Sequence, residues 1–133
     1  MTERTPKAVH LKLRDEPTSA ATLRAAVDEL AVKRSLPSDA RFDLKVAATE
    51  ALANALKRAA RRDRAVDVAV AERDGAIEIE VQDRGSFRLE HGLDGERGRG
   101  IPLMVALVDE VEFASTGDGT RVRIRKRLTP ETA

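Results

Sequence analysis

The sequence predicts an α+β fold: a two-layer sandwich in which helices cover one face of a mostly antiparallel sheet. Strand-like segments alternate apolar and polar residues with a period of two, at residues 8–14, 66–70, 77–81 and 120–126. Helix-like segments carry apolar residues at helical spacing, at residues 20–34 and 43–59. The predicted order is strand, helix, helix, hairpin, a glycine-rich passage, a short helix and a final pair of strands.

The helix predicted over residues 43–59 is rich in alanine and leucine and contains neither glycine nor proline. Phe42, Val46, Ala53 and Leu56 fall close to one line along it, which predicts its apolar stripe.

A β-hairpin is predicted for the two middle strands. Residues 66–70 and 77–81 flank Arg73-Asp-Gly75, a sequence typical of a tight turn between antiparallel strands. In the last strand, alternation places Arg121, Arg123 and Arg125 on one face. If this strand lies beside residues 77–81, the arginines oppose Glu78 and Glu80 across the sheet.

The composition suits one domain spanning residues 1–133, with residues 1–7 and 129–133 as loose tails. The 133 residues are 41% hydrophobic but only 2% aromatic, and 24 basic residues nearly balance 23 acidic ones. These values argue against direct binding of nucleic acid, which favours aromatic stacking or a strong positive charge. No apolar run is long enough for a membrane span. The absence of cysteine is consistent with a cytoplasmic protein.

Glu50 and Asn54 stand four residues apart on the second predicted helix, so their side chains share one face. Taken alone, this pair has two interpretations. It is either a solvated polar patch or the acid–base and metal-binding edge of a site.

A glycine-rich passage follows the hairpin. Asp83-Arg-Gly85 ends a strand, and Gly98 and Gly100 lead directly into the apolar residues 101–107, where Pro102 suits a first helical turn. Free N–H groups at such a helix start can bind phosphate. By itself the passage is equally compatible with an ordinary loop.

Together, these segments resemble the ATP-binding fold shared by gyrase, Hsp90, histidine kinases and MutL. More closely, the chain resembles the small anti-sigma factor serine/threonine kinases of bacteria, from the first strand to Leu128. The resemblance is carried by KVAATEALANA at residues 45–55, DRG at residues 83–85 and GRGIPLM at residues 98–104.

The resemblance implies a role for each residue of the predicted site. Asn54 would bind a Mg²⁺ that bridges the phosphates of ATP, and Glu50 would be the general base. Asp83, Gly85 and Thr120 would surround the adenine. Residues 84–99 would form a lid over the triphosphate, with Gly98, Arg99 and Gly100 near its oxygens.

The resemblance also implies partners. Family members regulate transcription, including stress responses, by sequestering an RNA polymerase sigma factor, and they phosphorylate a serine on an antagonist protein. They also form homodimers. Arg24 on the first helix matches a partner-contacting arginine, although it is equally consistent with a solvated surface residue.

One departure from the family pattern favours a second interpretation. Family members have a further spacer between the Asp-x-Gly segment and the next phenylalanine, whereas here Gly85 is followed at once by Ser86-Phe87. The alternative is a regulatory module that binds partners but has lost nucleotide binding or phosphoryl transfer.

Overall fold

A computed structural model describes residues 8–60, 65–83, 100–116 and 119–128. Its strands form one sheet in the order β1-β2-β3-β5-β4, and every neighbouring pair is antiparallel. The strands are β1 (Ala8–Leu13), β2 (Val66–Arg73), β3 (Ala76–Asp83), β4 (Glu110–Thr116) and β5 (Gly119–Arg127). The predictions for both tails and for the lid at residues 84–99 lie outside the described residues.

The helices in the described part of the chain are α1 (Ser19–Lys33), α2 (Ser38–Ala60) and α3 (Gly100–Leu107). The long helix α2 is central to the helical layer, because it packs against α1, α3 and the strands β2, β3 and β5. The predicted α+β sandwich is therefore confirmed.

The core lies between this layer and one face of the sheet. Alternation along the strands sends one set of side chains inward, and the fully buried Val70, Ile79 and Ile124 come from three adjacent strands. Leu23 and Val27 of α1 complete the other side of the same cluster. Burial of these apolar side chains stabilises the two-layer arrangement.

The predicted apolar stripe of α2 is wrong. Phe42 is 63% exposed and Ala53 is also exposed, while Val46 and Leu56 are only half-buried. The buried face is formed instead by Leu44, Ala47, Ala48, Ala51, Leu52 and Ala55. Alanines on this face let α2 approach the sheet and its neighbouring helices closely. The helix begins at Ser38, one of the two residues that suit its N-cap by sequence.

The β2–β3 hairpin has the predicted turn. Asp74 and Gly75 both have positive φ angles, 54° and 76°, as a two-residue turn of type I′ requires. Leu128 N–H donates a hydrogen bond to the Gly75 carbonyl at 3.0 Å, which ties the end of the described chain to this turn.

The outward face of the sheet carries the predicted ladder of opposite charges. Glu78 lies opposite Arg125 and Glu80 lies opposite Arg123 in the β3–β5 register. Glu78 is nearly buried and forms ion pairs of 3.5–3.9 Å with Arg73, Arg123 and Arg125. In the described ranges, no helix combines the length and apolar character needed to cross a membrane.

Candidate nucleotide-binding site

Asp83 and Thr120 form a directly opposed pair at one end of the sheet. Asp83 is the last residue of β3 and Thr120 is the second residue of β5, and their Cα atoms are partners in the antiparallel register. Both side chains are on the face covered by helices, with exposed fractions of 0% and 1%. A carboxylate that accepts hydrogen bonds thus lies beside a hydroxyl that can both accept and donate.

The Thr120 hydroxyl has an unused hydrogen-bonding capacity. Within the described ranges, Thr120 Oγ1 is buried and has no hydrogen-bond partner. Such an atom is unfavourable in a folded protein, because it has lost its contact with water without gaining another partner. A polar ligand in this position would supply that partner.

Asn54 and Glu50 lie on the part of α2 that leads toward this end of the sheet. Only five residues separate Ala60 from Val66, and Asp67 pairs with Gln82 next to Asp83. Asn54 precedes Ala60 by about 9 Å of helix, so it lies in the half of α2 nearer to that end of the sheet. Asn54 is 8% exposed and Glu50, one turn earlier, is half-buried.

The N-terminus of α3 points to the same end of the molecule. The C-terminus of α3 is held at the opposite end of the sheet, where Lys126 Nζ donates a hydrogen bond to the Leu107 carbonyl at 2.9 Å. Met104 is fully buried in the core, so α3 lies along the sandwich and runs back from Lys126 toward Thr120. The N-terminus of α3 at Gly100 is therefore nearer than its C-terminus to the end of the sheet that holds Thr120.

The sequence match identifies the family of this domain. Residues 13–126 match the histidine kinase-like ATPase domain family. The chain belongs to that family. Membership in this ATPase domain family implies ATP binding. None of the curated proteins matches the chain.

A solved structure shares the fold of this histidine kinase-like ATPase domain. The crystal structure of the RsbU and RsbW domains of Rv1364c from Mycobacterium tuberculosis superposes with a TM-score of 0.71 and 24% sequence identity. The alignment covers 91% of this chain and 32% of the Rv1364c chain. The chain therefore spans about one third of that relative's length.

The donors at the site of this ATPase domain fit a nucleotide with Mg²⁺. Among the described residues, no group of three or more histidine, cysteine, aspartate or glutamate side chains could hold a metal ion. Mg²⁺ bound with ATP needs few protein ligands, because phosphate oxygens and water supply most of its six positions. The Asn54 amide oxygen is a suitable hard ligand of this kind.

The remaining predicted site residues of the ATPase domain divide into two groups. Gly85, Gly98 and Arg99 lie outside the described residues. Arg24 is exposed on α1, beside the face that buries Leu23 and Val27.

Sequence analysis did not single out Lys126, which contacts the end of α3. The spacing in the sequence could have identified this residue. Lys126 lies six residues after Thr120 in one strand, so the two side chains share the inner face.

A concavity of about 790 Å³ lies on the opposite face of the sheet in this ATPase domain. Small side chains of β1 and β2, including Ala8, Ala69 and Ala71, line it together with charged residues such as Lys12 and Glu80. Because Asp83, Thr120 and α3 are on the helical side, this concavity is separate from the candidate site.

Proposed function

We propose that this protein is an ATP-dependent protein serine/threonine kinase that acts as an anti-sigma factor. The observation that carries the proposal is the buried Asp83–Thr120 pair with its unpartnered hydroxyl, at the end of the sandwich reached by Asn54 and the α3 N-terminus. The proposal assigns adenine binding to this pair, metal binding to Asn54 and phosphate binding to the N-terminus of α3. Membership in the histidine kinase-like ATPase domain family supports it.

The adenine contacts use the paired strands. The Asp83 carboxylate accepts a hydrogen bond from the adenine amino group, and Thr120 Oγ1 gains a partner at the same edge of the base, directly or through water. Gly85 lets the backbone pass close to the ring. Gly98, Arg99 and Gly100 bind phosphate oxygens through N–H groups and a positive charge.

Glu50 is the proposed general base in phosphoryl transfer. The hydroxyl oxygen of a serine on the antagonist protein attacks the γ-phosphorus of ATP, and the bond from that phosphorus to the ADP oxygen breaks. Glu50 accepts the serine proton, so the products are phosphoserine and ADP. Mg²⁺, held by Asn54, would neutralise charge on the phosphate oxygens.

The partner proteins follow from the same proposal. The protein binds an RNA polymerase sigma factor and an antagonist protein in exchange for one another, in the cytoplasm and as a homodimer. The exposed Arg24 on α1 is the proposed partner contact. The fold shared with about one third of the Rv1364c structure, which contains RsbU and RsbW domains, supports this assignment.

A second function is favoured by the shortened segment after Gly85. A chain that lacks the spacer before Phe87 could keep the fold and the partner-binding surface without binding ATP. In that case the protein is a regulatory binding module with no phosphoryl transfer.

Nucleotide titration separates the two functions. If the protein is a kinase, ATP with Mg²⁺ raises its melting temperature, because a ligand that binds only the folded state stabilises it. Failure of millimolar ATP to shift the melting temperature would favour the binding module.

The transfer step has its own test. Glu50→Gln should retain ATP binding and lose phosphorylation of the antagonist, whereas Glu29→Gln, an exposed position on α1, should leave both unchanged. Undiminished phosphorylation by the Glu50→Gln variant would remove Glu50 from the role of base.

A further inference from the structure

The C-terminus of α3 is fastened to β5 by three hydrogen bonds. Lys126 Nζ donates to the Leu107 carbonyl at 2.9 Å, and Asp109 N–H donates to the Arg125 carbonyl at 3.0 Å. The Arg127 N–H donates to Asp109 Oδ2 at 2.6 Å. We call Lys126 and Asp109, the two side chains in this set, the α3 anchor.

Helix α3 packs against α2 through one face and exposes much of its remaining surface. Met104 is fully buried, but Pro102, Leu103, Val105 and Ala106 are exposed and Leu107 is half-buried. A helix of eight residues is also too short to be stable by itself. The anchor adds hydrogen bonds that fix the C-terminus of the helix to β5, and the Lys126 ammonium group further interacts favourably with the negative end of the helix dipole.

One strand connects this anchor to the candidate site. Thr120 and Lys126 both lie on the inner face of β5, about 20 Å apart along the strand. Helix α3 spans about 12 Å and returns from Lys126 toward Thr120. The position of its N-terminus relative to Thr120 thus depends on β5, and the unpartnered Thr120 hydroxyl at that end could bind a polar ligand.

We propose that Lys126 and Asp109 are positioning residues for the phosphate groups of the nucleotide. They touch no ligand themselves; they hold the N-terminus of α3 at the distance from Thr120 that a bound nucleotide needs. This inference rests on the proposed ATP binding. It assigns the adenine contacts to the β3–β5 pair and makes only the phosphate contacts dependent on the anchor.

The test removes the anchoring charge and compares two ligands. Lys126→Met retains the length of the side chain but loses the hydrogen bond to Leu107. Lys126→Arg retains a charged donor. Lys12→Met is the matched control, because Lys12 is exposed on β1 and contacts only Asp67, at 3.4 Å, among the described residues.

Affinities for ATP and for adenosine are measured by calorimetry and ligand-observed NMR, and hydrogen exchange is followed at residues 100–107. Lys126→Met should weaken ATP binding about five- to twentyfold, which is part of the effect of one charged hydrogen bond, and change adenosine binding less than about twofold. Exchange should rise in α3 and stay unchanged in β3 and β5. Asp109→Ala should act in the same direction, Lys126→Arg should restore most of the ATP affinity, and Lys12→Met should match the wild type.

Four outcomes would overturn the inference. Unchanged exchange at α3 would show that Lys126 does not anchor the helix. Unchanged ATP affinity, or an equal loss for ATP and adenosine, would show that the anchor does not act on the phosphates. If the wild type binds no ATP, both this inference and the proposed function fail. If the wild type binds ATP but the Lys126 variants do not behave as expected, only this inference fails.

Discussion

Thr120 shows how a single hydroxyl can be retained at the expense of stability. Its Oγ1 atom is buried without a partner among the described residues, and valine has nearly the same shape. Thr120→Val should therefore leave the nucleotide-free protein equally stable or up to about 1–2 kcal/mol more stable. The same variant should bind ATP more weakly.

Urea unfolding without nucleotide and ATP titration of the folded protein measure these two effects. A marked loss of stability without nucleotide would mean that the hydroxyl has a structural partner, and undiminished ATP affinity would mean that it does not contact the ligand.

Asn54 is tested by the dependence of ATP binding on Mg²⁺. Asn54→Ala should reduce ATP affinity at least about tenfold in the presence of Mg²⁺, as loss of groups at a metal site commonly does. With EDTA, the variant and the wild type should bind ATP equally. Isothermal calorimetry under both conditions makes the comparison, and a variant that keeps the full effect of Mg²⁺ would exclude Asn54 as the ligand.

At the scale of elements, α2 shows where a helical pattern in the sequence misleads. The apolar side chains of Phe42 and Val46 share a line, but the helix buries the neighbouring face, which consists of two leucines and four alanines. Alanine contributes little to a hydrophobicity pattern, yet it permits close packing between a helix and a sheet. The period identified the helix correctly, and only packing with the other elements determined which face is buried.

Because α2 buries Leu44 and exposes Phe42, substitutions at these two positions should have unequal effects on stability. Leu44→Ala removes a fully buried side chain and should lower the free energy of unfolding by about 2–5 kcal/mol. Phe42→Ala removes an exposed side chain and should change it by no more than about 0.5 kcal/mol. Chemical denaturation of both variants tests the assignment, which would be wrong if Phe42→Ala were the more damaging change.

Among the elements, the strands were the most predictable from sequence. Alternation of apolar and polar residues predicted β1, the β2–β3 hairpin and the facing charges of β3 and β5.

The candidate site was predictable only through the family resemblance. Asp83 and Thr120 are 37 residues apart in sequence, and their pairing depends on the strand order β3-β5-β4, which the local pattern of either strand does not contain.

At the scale of the whole molecule, the two sheet faces have different chemistry. The inner face holds the core and the candidate site, whereas the outer face holds a network of ion pairs around Glu78. The Glu78 carboxylate is 8% exposed and has three arginines within 4 Å. Glu112, by contrast, is exposed and contacts Arg123 at the edge of the sheet. A nearly buried charge has more influence on its neighbours than an exposed one, because water screens it less.

Removing these two charges should therefore have unequal effects. Glu78→Gln leaves several arginines close together and should destabilise the protein by about 1–3 kcal/mol. Glu112→Gln, at a position with a side chain 63% exposed, should change stability by less than about 1 kcal/mol. Thermal unfolding of both variants is the measurement, and equal effects would show that the network contributes little beyond a surface ion pair.

The even spacing of Thr120 and Lys126 in β5 also limits how this chain can change during evolution. Insertion or deletion of one residue between them would turn one of the two side chains to the outer face. A change of two residues would preserve both orientations but alter the distance between the site and the end of α3. Among related sequences that retain both residues, we therefore expect length variation to occur in the connecting loops and this interval to remain six residues long.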